Sequence, residues 1–373
     1  MKRTIFLMLA MLLSALSASA YDFKIDGIAY NYYSPYDVNR YNYYVKVAKG
    51  GDYTGSITIP NKVGSLKADC IESDAFTGCT GLTSITIPNS VCSIDYGAFD
   101  GCTGLTSVTF NAEECYSTSV GSKAMFKDSP LTSLVFGNDV QIIPGCIAYN
   151  QTGLKTITLP ESATRIASSA FEGCTGLTSV TIGNSVTEIY ERAFEGCTGL
   201  TSITVPNSVT KIDRRAFANC TGLTSFPIPQ FVLITRIYEQ SFSGCTGLTS
   251  VTIPTLVTEI AGRAFADCTG LTSVTIPNSV TNILGKAFEG CTGLKKIYSF
   301  NPKPPVIAED TFSSYDACLF VPKGCVSKYK EAEYWKNFKS IKEITYVGNN
   351  DINGDGMIDM VDVTTLINMI LDQ

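Results

Sequence analysis

Residues 170–182 have the sequence AFEGCTGLTSVTI, and this stretch decides the fold because it recurs along most of the chain. Near-copies begin at Ala75, Ala98, Ala193, Ala216, Ser241, Ala264 and Ala287. The leucine of the motif marks the period and falls at Leu82, Leu105, Leu131, Leu154, Leu177, Leu200, Leu223, Leu248, Leu271 and Leu294. Seven of the nine gaps are 23 residues, and gaps of 26 and 25 mark extra residues around 112–122 and 230–234. A fixed period of this length predicts a stacked-repeat fold.

One repeat can be interpreted locally. Apolar Leu177, Val180 and Ile182 enclose polar Ser179 and Thr181, and this alternation predicts a strand with one buried face. A turn, a second apolar pair and an Ala-Phe step follow, and the segment before Ala-Phe suits either a short helical turn or an irregular bend. A single 23-residue unit cannot bury its own apolar face, so we expect the units to stack with strands about 4.8 Å apart. The predicted fold is a β-rich repeat solenoid with about ten repeats.

The repeated pattern AFxGCTGLTSVTIPNSVTEI resembles the BspA-like leucine-rich repeat over roughly residues 55–300. This resemblance implies an α/β leucine-rich-repeat solenoid. The family is associated with exported bacterial proteins, several of which are adhesins for host or bacterial surfaces. Repeats are scaffolds, so the partner must be inferred from surface positions. We expect repeats over 55–312, covered by an N-terminal cap over 21–54 and a C-terminal cap over 313–347, because terminal repeats need covers.

The composition of the caps supports this division. Seven tyrosines between Tyr30 and Tyr44 indicate a β-hairpin or small sheet over the first repeat, with an aromatic platform for carbohydrate as the alternative. At the other end, Thr311 and Phe312 form a decayed repeat start. Residues 318–323 are predicted as a strand, and residues 326–338 as an amphipathic helix that contains Trp335.

The N-terminus is predicted to be a secretory signal peptide over residues 1–20. Lys2 and Arg3 precede an apolar run, and Ala18-Ser19-Ala20 ends it in the A-x-A form of a cleavage site. The apolar run is shorter than the ~18 residues that span a bilayer, and no later stretch is long and apolar enough, so we expect no transmembrane segment. We therefore expect a secreted protein or one at a bacterial cell surface. The formal net charge of −6 argues against nucleic acid and anionic membrane as partners.

The composition also narrows the chemistry. The chain has no histidine, which excludes Ser-His-Asp triads, Cys-His nucleophile pairs and histidine-ligated zinc. Acids recur at equivalent repeat positions, at Asp100, Glu172, Glu195 and Glu289, and therefore predict a charged edge. Two of them could serve a glycosidase only if their environments differed, and the repeats give no sign of that. We expect a protein that is not an enzyme.

Eight of the 14 cysteines occupy one repeat position, namely Cys79, Cys102, Cys174, Cys197, Cys220, Cys245, Cys268 and Cys291. An even count in an exported protein suggests disulfides, whereas a buried cysteine in the turn is ordinary in leucine-rich repeats. Parallel side chains that all point inward disfavour disulfide torsions, so we expect a ladder of free buried thiols. Cys318 and Cys325 are the best disulfide candidates. The sequence has no CxxC pair, which argues against zinc.

The positions two and four residues after the repeat leucine form a hydroxyl-lined, nearly uncharged strip. The candidate binding residues on it are Ser179, Thr181, Ser202, Thr204, Ser250, Thr252, Ser273 and Thr275. Threonine is favoured on an ordinary solvated strand face, and a threonine array that matches ice is a further alternative. The functional interpretation is a contact surface for a host-matrix protein, a bacterial surface protein or a glycan.

Residues 351–362 have the spacing of a calcium-binding loop, with oxygen-bearing side chains at loop positions 1, 3, 5, 9 and 12 and glycine at 6. The predicted ligands of one Ca²⁺ are Asp351, Asn353, Asp355, Met357 through its carbonyl, Asp359 and Asp362. The segment 348–373 resembles one half of a dockerin type I motif. This resemblance implies a cohesin-like partner and a non-catalytic subunit of a polysaccharide-degrading assembly, although a full dockerin carries two loops. An acidic solubilising tail is the alternative.

Overall fold

The computed structural model describes residues 21–33, 44–117, 124–226 and 233–344. The described residues form two compact units. The first comprises the chain up to Val209 together with Ala216–Cys220, and the second comprises Thr210–Arg215 and the chain from Thr221 onward. Short parallel strands recur with the repeat in both units. The predicted repeat solenoid is therefore confirmed.

The strands of the first unit are mostly two to four residues long. They are β1 (Phe23–Ile25), β2 (Ile28–Tyr33), β3 (Tyr44–Val47), β4 (Gly55–Thr58), β5 (Lys62–Val63), β6 (Leu66–Ile71), β7 (Leu82–Ile87), β8 (Ser93–Ile94), β9 (Ser107–Phe110), β10 (Tyr116–Ser117), β11 (Ser133–Phe136), β12 (Ile142–Ile143), β13 (Thr156–Thr158), β14 (Arg165–Ile166), β15 (Ser179–Thr181), β16 (Glu188–Ile189) and β17 (Ser202–Thr204).

Two sets of parallel sheets run along the first unit. The strands that follow the repeat leucine pair in the orders β4–β7–β9–β11 and β13–β15–β17. The second short strand of each repeat pairs in the orders β6–β8–β10 and β12–β14–β16. Each repeat thus contributes one strand to each set, which stacks equivalent apolar residues on one another.

The N-terminal cap contains the predicted small sheet. Strands β1, β2 and β3 are antiparallel neighbours, and β3 joins β6 in parallel. Tyr30 is fully buried, and its ring stacks on Phe23 with centroids 5.6 Å apart. A buried ring cannot serve as a carbohydrate platform, so Tyr30 is a packing residue. The tyrosines between residues 34 and 43 lie outside the described residues.

The strands of the second unit are β18 (Lys211–Ile212), β19 (Arg236–Ile237), β20 (Ser250–Thr252), β21 (Glu259–Ile260), β22 (Ser273–Ile276), β23 (Asn282–Ile283), β24 (Lys296–Ser299), β25 (Val306–Ile307), β26 (Cys318–Val321) and β27 (Ser340–Glu343). Apart from β18, these strands pair in parallel in the orders β20–β22–β24–β26–β27 and β19–β21–β23–β25. The helices among its described residues are α1 (Val326–Glu331) and a 3₁₀-helix (Trp335–Asn337). The predicted strand at 318–323 is confirmed as β26.

The segment between the second strand and the Ala-Phe step is an irregular bend, which resolves the alternative left open by the sequence. Arg192, just before Ala193, has a left-handed backbone with a φ of 59°. The same conformation recurs at the equivalent residues Asp74, Cys146, Ser169, Arg215, Gln240, Arg263 and Lys286. A left-handed residue cannot continue a right-handed helical turn, so the chain bends at these positions.

A column of phenylalanine rings runs through the core of the first unit. Phe171, Phe194 and Phe217 are fully buried, and each neighbouring pair of rings is nearly parallel with centroids 5.3 Å apart. Ala148 occupies the equivalent position one repeat earlier. There Phe136, from the end of β11, contacts Phe171 edge-on at 6.5 Å. A ring from the strand therefore replaces the missing ring of the column.

The ring column of the second unit ends on the C-terminal cap. Phe312 stacks on Phe288 at 5.3 Å, which confirms residues 311–312 as a repeat start, and Trp335 covers Phe312 at 6.0 Å. The predicted helix over 326–338 is wrong beyond Glu331. Ala332 is extended and Tyr334 has a φ of 60°. This reversal lets the buried Trp335 indole donate to the Pro305 carbonyl at 2.7 Å.

Candidate functional site

The predicted binding residues lie in register on the solvent side of the strands. In the first unit Ser179 is paired with Ser202, and Thr181 with Thr204. Thr181, Ser202 and Thr204 are exposed, and Ser179 is half-buried, while Val180 between them is buried. The alternation predicted from the sequence therefore places these hydroxyl groups on one face.

The second unit carries the same arrangement. Ser250 is paired with Ser273, and Thr252 with Thr275. Ser250 is exposed and the other three are half-buried. We call these eight residues the hydroxyl strip, four of them in each unit. That the strip binds a partner stays a prediction.

A neighbouring column of threonines has a structural role that the hydroxyl strip lacks. The Thr178 and Thr201 hydroxyls each donate to the carbonyl oxygen 23 residues earlier, at 3.0 and 3.2 Å. Thr272 does the same in the second unit at 2.9 Å. These hydroxyls, one residue after the repeat leucine, link adjacent turns. The hydroxyls of the strip make no such bond within the described residues, so they can contact solvent or a partner.

The strip changes character near the C-terminal cap. Lys296 and Tyr298 follow Ser273 and Thr275 in register. The Tyr298 ring stacks on Phe320 with centroids 4.9 Å apart, and both rings are half-buried. Sequence reasoning missed this aromatic pair because Phe320 lies beyond the last repeat leucine. In the first unit the equivalent position two repeats before Thr181 holds Val135, which is 54% exposed. Pro227, four residues after the repeat leucine Leu223, lies outside the described residues.

The repeated cysteines form the predicted ladder of free thiols. All 14 cysteines are free, including Cys318 and Cys325, so the disulfide suggested for that pair is wrong. The Cys174 and Cys197 thiols donate to carbonyl oxygens of the preceding repeat at 3.0 and 3.2 Å. Burial raises the pKa of the Cys174 thiol to about 12. Cys174 is therefore a neutral thiol that satisfies a buried carbonyl, and its burial disfavours the reactive thiolate form.

The recurring acids, which were predicted to form a charged edge, each lie near a cation. Glu172 and Glu195 both face Arg192, at 4.0 and 3.7 Å. Asp100 pairs with Lys127 at 4.0 Å, and Glu289 with Lys286 at 3.2 Å. Glu172 and Glu195 face the same cation, Arg192, in similar surroundings. An acid–base pair requires two carboxyl groups in unequal environments, and this pair does not provide them.

The predicted calcium ligands, Asp351 to Asp362, and the predicted signal peptide, residues 1–20, lie outside the described residues. Within the described residues, no three cysteine or acidic side chains lie close enough together to hold a metal ion. No helix there is both long enough and apolar enough to cross a membrane.

Several solved structures are similar to the chain. A leucine-rich cell surface protein from Faecalibacterium prausnitzii is 23% identical over 76% of this chain and 96% of its own, with a TM-score of 0.34. A leucine-rich-repeat protein from Bacteroides ovatus is 20% identical over 87% and 100%, with a TM-score of 0.33. The leucine-rich-repeat protein of T. pallidum is 24% identical over 54% and 90%, with a TM-score of 0.41. No curated protein matches the chain in sequence.

A family model supplies the classification. The BspA type leucine-rich-repeat region, in six copies, matches residues 52–123, 118–235 and 232–352. These ranges contain every repeat leucine and both strand sets described above. The chain belongs to the BspA-type leucine-rich-repeat family.

Proposed function

We propose that this is an exported bacterial surface protein that adheres to host or bacterial surface components through the hydroxyl strip. The observation that carries the proposal is the set of in-register hydroxyls on the solvent side of the strands, four of them exposed and four half-buried, which make no bond between repeats within the described residues. The name of the F. prausnitzii relative, a cell surface protein, supports the proposed location. The role is one of binding, because the strip repeats one kind of group and catalysis needs unlike groups to converge.

The neutral hydroxyl groups of the strip determine which interactions it can make with a partner. Hydroxyl groups both donate and accept hydrogen bonds, and the eight strip residues carry no charge. Binding through them should depend little on ionic strength, because salt screens charge–charge attraction and leaves neutral hydrogen bonds largely unchanged. Salt titration of the bound complex therefore separates the strip from the ion-paired edge.

The experiment is a solid-phase screen of the full chain against matrix proteins, bacterial surface proteins and oligosaccharides. The test variant combines Thr181→Arg and Thr204→Arg, which place two bulky charges on the strip. The matched control combines Thr175→Arg and Thr198→Arg, two exposed threonines of the same two repeats that lie in the turns before the leucines. We expect the test variant to lose at least about tenfold in affinity and the control to bind normally. Equal binding by both variants would show that the strip is not the binding surface.

A second candidate function rests on the C-terminal sequence. We propose that residues 351–362 bind one Ca²⁺, and that the loop-helix over 348–373 docks the chain into a polysaccharide-degrading assembly. The calcium spacing of that segment favours this role. A calcium-dependent protein partner that the Asp355→Ala variant no longer retains would support docking. Retention of the same partner in chelator would contradict it.

A further inference from the structure

We infer that a depression on the first unit binds a saccharide unit. It has a volume of about 550 Å³ and is lined by Tyr96, Tyr149 and the residues 124, 127–130, 150 and 151 between and beside them. We call it the Tyr96–Tyr149 depression. It shares no residue with the hydroxyl strip, so the inference goes beyond the proposed function and does not depend on it.

The depression forms where one repeat is a residue short. In the preceding repeat Cys102 stands three residues before Leu105, whereas Ser129 stands two residues before Leu131. Pro130 thus replaces a Thr-Gly pair. In complete turns the leucine N–H donates to the cysteine carbonyl, as Leu105 does to Cys102 at 3.0 Å. The shortened turn cannot make this bond, and the N–H needs another partner.

Gln151 supplies that partner from the next repeat, where it occupies the cysteine position. Its Oε1 accepts from the Leu131 N–H at 3.0 Å, and its Nε2 donates to the Phe126 carbonyl at 3.0 Å. Gln151 is buried with 6% exposure. The amide therefore holds both sides of the shortened turn, so the depression has a fixed floor.

The shortened turn also lacks, within the described residues, a hydrogen bond that complete turns make. Ser129 is only 5% exposed, and its Oγ has no hydrogen-bond partner within the described residues. In complete turns the equivalent thiol bonds a carbonyl of the preceding repeat, as Cys102 does with Phe76 at 3.1 Å.

The walls combine aromatic rings with groups that bind hydroxyls. Tyr96 is 42% exposed and Tyr149 is half-buried, and both rings border the depression. Tyr149 occupies the repeat position that holds Asp100, Glu172 and Glu195 elsewhere, so the charged edge is interrupted here. Lys127, Asp128 and Asn150 supply an ammonium, a carboxylate and an amide. The volume lies within the range of about 300–1,000 Å³ typical of small-molecule sites.

This combination fits a saccharide. A sugar ring has an apolar face that packs on an aromatic ring, and its hydroxyls match an amide and a carboxylate, which between them both donate and accept. An apolar peptide anchor would instead need an aliphatic pocket, and among the described residues that line this one only Ala124 and Pro130 are aliphatic.

The test uses the full chain on a printed panel of neutral and acidic oligosaccharides, followed by titration of each oligosaccharide retained. Tyr149→Ala removes one wall. Asn150→Gly removes the amide and keeps the left-handed backbone, because φ is 58° at Asn150 and glycine occupies the position in equivalent turns. Tyr190→Ala, which removes a tyrosine outside the depression in the same unit, is the matched control.

We expect the wild type, the Tyr190→Ala variant and the strip variant with Thr181→Arg and Thr204→Arg to retain an oligosaccharide. Tyr149→Ala and Asn150→Gly should each weaken its binding at least about tenfold, with thermal unfolding of Asn150→Gly unchanged. The inference is overturned if the panel retains nothing, or if both depression variants bind as the wild type does. Loss of binding in the strip variant alone would also overturn it and would assign the sugar to the strip.

Discussion

The replacement of one ring of the first-unit column by Phe136 leads to a quantitative prediction. Ala148 is fully buried at the position that holds phenylalanine in neighbouring repeats, and Phe136 is 7% exposed and contacts both Phe110 and Phe171. Ala148→Phe alone inserts a second ring into space already used, which should cost about 1–3 kcal/mol. Phe136→Ile alone removes two aromatic contacts worth about 0.5–1.5 kcal/mol each.

The double variant should lose less free energy of unfolding than the sum of the two single-variant costs. Ile is the residue found at the equivalent position in Ile182, and Phe at 148 would continue the stack toward Phe171. The two changes together rebuild an ordinary repeat, so we expect them to couple by about 2 kcal/mol or more in favour of the double variant.

The assay is urea unfolding of the wild type, both single variants and the double variant, with hydrogen exchange of the segment around residues 126–171 as a local readout. Phe194→Ala is the control for ring loss alone, since its ring lies between Phe171 and Phe217; it should cost about 3–5 kcal/mol. If the double variant loses the sum of the two single costs, Phe136 does not replace the missing ring, and the reasoning is refuted.

Three further predictions concern the thiols, the turns and the tail. Burial raises the pKa of the Cys102 and Cys174 thiols to about 12 from about 9. The unfolded chain therefore loses these protons first, and the free energy of unfolding should fall as pH rises from about 9 towards 12, which urea midpoints at pH 8 and pH 11 will show; a constant midpoint would contradict it. Asn219, with a φ of 58°, should tolerate Asn219→Gly within about 0.5 kcal/mol, whereas Asn219→Val should cost about 1–2 kcal/mol in the same assay; equal effects would show that backbone strain is unimportant there. Calorimetry of the full chain should find one bound Ca²⁺ that Asp355→Ala abolishes, and an unchanged isotherm in that variant would rule out the loop as the site.

The features that repeat could be predicted from the sequence. The leucine spacing and the alternation at 177–182 gave the period, the strand and its buried face, because both depend on contacts that recur in each unit. The free thiols at Cys174 and Cys197 and the recurrence of acids at Glu172 and Glu195 followed from the same periodicity, whereas the ion pairs of these acids with Arg192 were not predicted.

The features that break the pattern could not be predicted, because each depends on contacts between different repeats. Gln151 bonds Leu131 and Phe126 across a shortened turn. The one sign of this in the sequence was the spacing between Ser129 and Leu131, which is two residues instead of three. The end of α1 at Glu331 depends on where Trp335 can be buried against Phe312, and helical periodicity within 326–338 carries no information about that distant contact.

The central claim, that the hydroxyl strip is the contact surface, is tested most directly by site-specific photocrosslinking. A benzophenone amino acid would replace Thr204 on the strip or, as the control, Thr198 in the turn of the same repeat; both residues are exposed. If the strip is the contact surface, we expect the probe at 204 to crosslink to the partner found in the binding screen and the probe at 198 not to do so. Crosslinking from 198 without crosslinking from 204 would contradict the account.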